Sequence, residues 1–117
     1  MTRNDEQRIA DMLEVAAQIA ELVSRGRETF DQDIAVRYAL ERLLEILGEA
    51  ATSVSTATQE RLSAVAWRDI SRLRIVLAHH YHRIDPDQVW SMATQDVSRV
   101  AGVLSGADDT ARDSLNG

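Results

Sequence analysis

Apolar residues return every three or four positions along most of this chain, and that single rhythm restricts the fold to packed helices. From about Asp5 to Val23 the series Ile9, Met12 and Leu13, Ala16, Ile19 and Ala20, Leu22 and Val23 makes one amphipathic stripe. Ser24-Arg25-Gly26 supplies its stop, because a glycine past the last periodic residue can adopt the left-handed backbone that closes a helix. Thr29 is expected to open a second helix, with Gln32 in capping-box order and Asp31 in the first turn. From Phe30 to about Ser53 the apolar positions cover more than one face, which suits a central helix packed on two sides.

The polar break Ser53 to Thr58 leads into a short helical piece ending near Val65, and a further main segment starts at about Trp67. In Asp85-Pro86-Asp87-Gln88 the aspartate suits the N-cap, the only proline the first helical position and the glutamine a return bond, so a last helix is expected from Pro86 to about Leu104. No strand alternation and no internal repeat interrupts this pattern. The expected fold is an all-α bundle of four to five helices in one domain, residues 1–105, followed by a flexible tail, 106–117, in which the apolar period is lost.

With 117 residues there is room for a single core. The absence of cysteine excludes disulfides, thiolate metal sites and a thiol nucleophile. A polar, charged N-terminus without the apolar centre of a secretory signal makes the cytoplasm the expected location, and no apolar run is long enough to span a membrane. A net charge of -6 argues against nucleic-acid binding through a generally basic surface, so any such contact must be local. All 13 basic residues are arginine, which fits either a coding bias or planar phosphate recognition.

One stretch breaks the acidic character. Trp67 to Arg83 carries Arg68, Arg72, Arg74 and Arg83 against Asp69 alone, and all 3 histidines of the chain, His79, His80 and His82, fall near its end. Guanidinium groups clamp phosphate oxygens in a fork and imidazole moves protons near neutral pH, so the combination points to phosphoryl chemistry without a metal or cofactor. The histidine spacing does not converge on one ion within a helix. Arg74 and His79, five residues apart, stand about 140° apart around a regular helix. Either the helix ends near His79 or a second subunit completes the site, and both are expected.

Arg74, His79 and Tyr81 in this order resemble the R-x4-H-x-Y motif of HepT-like HEPN toxins. Ile46-Leu47-Gly48-Glu49-Ala50 is similar to the family's I-G-E-A helix, Trp67-Arg68-Asp69-Ile70 to its W-R-x-I entry, and Asp85 with Trp90 to the D-x4-W that follows. The resemblance, over roughly residues 8 to 104, implies a homodimeric HEPN bundle and a metal-independent endoribonuclease, the toxin half of a toxin and antitoxin pair. Its site would use Arg74 and His79 as catalytic residues, facing those of a second copy, with Arg68, Arg72, His80 and Arg83 as RNA-binding candidates on transfer or messenger RNA. It further implies a nucleotidyltransferase partner of the MNT type that silences the toxin by transferring AMP to Tyr81.

The chain departs from the family pattern at Ile75, where a polar residue is common, at Ala66, where proline is frequent, and at His80, where an acid is frequent. Ile75 keeps open an alternative, a catalytically idle module that binds the nucleotidyltransferase. Trp67 and Trp90 read as packing, Phe30 as a staple, and Glu49 as either a solvated charge or a partner for an arginine.

Overall fold

The structure, a computed structural model, describes the backbone of residues 1–79 and 85–116 and the side chains of 1–78 and 85–106. Its elements are α1 (Arg3–Ser24), α2 (Arg27–Gln32), α3 (Ile34–Thr52), α4 (Thr56–Arg61), α5 (Trp67–His79), α6 (Pro86–Ser91), a π-helical turn (Met92–Asp96) and α7 (Val97–Asn116). The fold is all-α, with no strand among the described residues, as the apolar rhythm requires.

Local chemistry explains each boundary. Thr2 caps α1 by accepting from the Asp5 amide at 3.1 Å, and Asp5 and Glu6 set negative charge against the helix dipole. Gly26 stands at φ +94, a backbone few other residues adopt, and turns the chain into α2. The expected helix from Phe30 to Ser53 is in fact interrupted. Thr29 lies inside α2, and Asp33 caps a separate α3 by accepting from the Ala35 amide at 3.0 Å. The Asp33 side chain thereby satisfies an amide donor of the new helix, which a continuous helix would leave no reason for. Ser55 caps α4, and Asp85 caps α6 with Pro86 in the first turn; its side chain accepts from the Asp87 amide at 2.9 Å.

The last helix was expected to be regular as far as Leu104. Instead a π-helical turn separates α6 from α7, and α7 continues to Asn116. A Cβ at Gly102 or Gly106 would meet nothing within 4 Å, and neither glycine stops the helix. The reading of 106–117 as a flexible tail falls mostly on side chains outside the described residues.

The core is a single cluster. Ile9, Met12 and Ile19 of α1, Leu40, Leu44 and Leu47 of α3, Ile70 and Leu77 of α5, and Val89, Val97 and Leu104 of the last rod all lie within it. α3 is the central element, packing on both α1 and α5, and α7 returns along α1. α5 and the start of the last rod face each other across a groove lined by Leu73, Val76, Gln88 and Met92. At that end of the bundle Phe30 of α2 packs against Trp90 of α6, ring centroids 5.3 Å apart, while Arg27 bridges Asp31 at 2.8 Å and Asp87 at 2.7 Å. Both partners, Asp31 first, favour the charged guanidinium. Phe30 is thus a packing residue, and α2 is fastened to α6.

A polar clasp holds the opposite end. Asp5 is buried and accepts from the Ser55 amide at 2.9 Å, the Ser55 hydroxyl at 2.6 Å and the Thr58 hydroxyl at 2.7 Å. These donors, the Ser55 hydroxyl foremost, hold the Asp5 carboxyl well below the usual carboxylate range.

Candidate active site

Helix α5 carries the site, and one glycine sets its position. A Cβ at Gly48 of α3 would stand 2.8 Å from the Arg74 nitrogen and 2.9 Å from the Ile70 oxygen. The backbones of α3 and α5 therefore meet at closer range than any side chain permits. This gives the glycine of the Ile46 to Ala50 stretch a physical meaning: it seats the helix turn that bears Arg74. Trp67 anchors the other end of α5, buried and donating from its indole nitrogen to the Leu62 carbonyl at 3.0 Å. Both tryptophans serve packing.

Arg74 is exposed beside the α3 seam. His79 is the last residue of α5, and its side chain lies outside the described residues, as do His80, Tyr81, His82 and Arg83 entirely. The backbone is helical through both 74 and 79, so the two positions stand about 140° apart around one helix. Position 79 instead continues a stripe that begins at Arg68 and runs through Arg72 and Ile75, at spacings of four, three and four. Arg68 and Arg72 are exposed, as is Ile75 at 48%. The stripe is a basic ridge that faces away from the core, and Arg74 stands off it, on the flank toward α3.

The outer surface of α3 adds features that the apolar pattern hid. Tyr38 is 63% exposed and Ile34 57%, large apolar groups turned from the core defined by Leu40, Leu44 and Leu47. Glu41 shares the stripe of Gly48 one heptad earlier and is partly buried, one carboxylate oxygen having no hydrogen-bond partner among the described residues. Burial raises its pKa, with Arg37 opposing in part. Its spacing of seven from Gly48 was the available signal. Glu49 is exposed and its contact with Arg42 at 3.7 Å is loose and solvent-facing, so it stands as a solvated charge. Arg42 also reaches Glu45 at 3.2 Å, so the two outer carboxylates of α3 share one arginine.

No helix is long and apolar enough to cross a membrane among the described residues. No solved structure matches the chain. Among curated proteins, it is 32% identical over 91 residues to a protein of Methanocaldococcus jannaschii named as a candidate RNase, covering 77% of this chain and 84% of that one. It is 29% identical over 97 residues to a protein of Thermococcus cleftensis named as a candidate ribonuclease HepT, covering 79% and 88%. Residues 12–105, which hold the Gly48 seat, the ridge of α5 and the start of the last rod, match the family described as Ribonuclease HepT-like. With that stretch spanning most of the fold, the chain belongs to the HepT-like ribonuclease family of HEPN proteins.

Proposed function

We propose that this protein is a metal-independent endoribonuclease toxin that cleaves RNA at a site shared by two copies of the chain. The observation that carries the reading is the placement of Arg74 and position 79 on opposite flanks of one continuous helix. A single chain offers a phosphodiester the guanidinium or the imidazole, whereas a two-fold pairing of α5 helices offers both around one groove. Tyr38 and Ile75, exposed on adjoining helices, give that pairing an apolar contact.

In the reaction His79 takes the proton of the ribose 2'-hydroxyl as its oxygen attacks phosphorus, and an imidazolium returns a proton to the departing 5'-oxygen. Arg74 stabilises the negative charge that develops on the phosphorane oxygens. The products carry 2',3'-cyclic phosphate and 5'-hydroxyl ends. Arg68, Arg72, His80 and Arg83 supply phosphate contacts, and transfer or messenger RNA is the substrate class. The partner is a nucleotidyltransferase of the MNT type that adds AMP to Tyr81; an anionic adduct there occupies the phosphate site and repels RNA.

Purified protein incubated with transfer RNA in EDTA should cleave it. Arg74→Ala and His79→Ala should each lower the rate by about a hundredfold or more. Intact mass should rise by one or more AMP units only when the nucleotidyltransferase is co-expressed, and not in Tyr81→Phe. Ile75 favours a second reading. An exposed isoleucine in mid-ridge gives neither phosphate nor base a hydrogen bond, which suits a module that binds the nucleotidyltransferase without cutting RNA. Absence of cleavage by unmodified wild-type protein decides for that module.

A further inference from the structure

Between α5 and the start of the last rod lies an open groove of about 360 Å³ that the reaction above does not use. Its floor is apolar, made by Leu73, Val76 and Met92, and its rim carries Asp69, Arg72, Gln88 and Asp96. One wall is the π-helical turn Met92–Asp96, an irregularity of the kind often found at functional sites. Arg72 belongs both to this rim and to the basic ridge leading to position 79. Val76, at the inner end of the floor, is one helical turn from that position.

We propose that this groove is a nucleobase subsite, holding the base beside a phosphate gripped by Arg72 and preferring adenine or cytosine over uracil. The inference rests on the ribonuclease reading for its biological sense, and on the groove's own chemistry for its ligand. Two carboxylates on the rim repel a phosphate, so the cavity does not extend the anion track. A flat heterocycle meets its demands: apolar faces against Leu73 and Met92, polar edges toward the rim. Carboxylates accept from an exocyclic amine, and the Gln88 amide donates to the ring nitrogen beside it, a pairing that adenine and cytosine present. Uracil sets a carbonyl oxygen where the amine would be and meets the carboxylates with like charge. Asp96 has a competing contact with Arg99 at 4.0 Å, but that pair is solvent-exposed and weak enough to yield.

Met92 makes a direct probe, because buried Met12 serves as an internal reference in the same spectrum. Full-length protein with 13C-labelled methionine methyls is titrated separately with AMP, CMP, UMP and ribose 5-phosphate. The Met92 signal should shift saturably with AMP or CMP and stay in place with UMP and ribose 5-phosphate, while Met12 is unmoved throughout. No shift with any nucleotide, or an equal shift with ribose 5-phosphate, overturns the subsite. In a second arm, cut sites in a random RNA pool are mapped for wild type, Asp69→Asn and Gln88→Ala. Both variants should lose about tenfold or more of the preference for adenine or cytosine beside the cut. An unchanged preference overturns the subsite although the chain cleaves RNA. If wild type cuts nothing, the ribonuclease reading falls and the Met92 titration alone decides the groove.

Discussion

Asp5 shows how much one carboxylate can organise. Buried and receiving three donors from Ser55 and Thr58, it ties the first turn of α1 to the cap of α4, far along the chain. Its folded pKa is depressed, so its stabilising contribution is complete above the unfolded value of about 3.9 and is shed as the pH falls below it. Asp5→Asn should therefore lower the melting temperature at pH 7 and flatten the acid limb of the stability curve; urea midpoints between pH 7 and pH 3 for both proteins measure this. Nothing in the local sequence announced the clasp, because it joins residues 50 and 53 positions apart. Glu41 has the opposite sign: burial raises its pKa, so ionising it costs stability as the pH climbs through the ordinary glutamate range.

At the scale of elements, Gly48 is the most exacting position. Alanine is ordinarily the better helix former by up to about 1 kcal/mol. Here its methyl would meet backbone nitrogen and oxygen at 2.8 and 2.9 Å, atoms that cannot swing aside as a side chain tip would. Gly48→Ala should cost about 1–3 kcal/mol, seen as a lower urea midpoint with unchanged slope, and should slow RNA cleavage by moving the turn that carries Arg74. Helix identity and most ends were readable, since apolar spacing, Asp85 and Pro86 act within a few residues. The break at Asp33 and the π-helical turn were not. The first competes with an apolar pattern that runs on unbroken. The second arises in a rod that packs on α1 and α3, a tertiary setting without local signature. For the candidate site, Arg74 and His79 are proposed from a motif within one segment, whereas the groove beside Arg72 is lined by residues of α5 and of the last rod and has no signature in either segment alone.

On the scale of the whole molecule, the outer surface of α3 and α5 is where the proposed dimer is tested. Tyr38→Glu or Ile75→Asp places a charge in an apolar contact between copies, while in the single chain each substitution leaves an exposed residue exposed. Either should convert a dimer to a monomer by light scattering without changing the helical circular dichroism, and should abolish cleavage, since the flanks of α5 would no longer face each other. Retention of full cleavage by a proven monomer would show that one chain suffices.

The pairing of Phe30 with Trp90, and of α1 with α7, also has a consequence for synthesis. The first helices to leave the ribosome pack early on α3, but find the rest of their covering surface in helices translated much later. A short helix such as α2 does not persist unaided in water. The nascent chain thus lacks a finished interior until the rod of α6 and α7 has emerged.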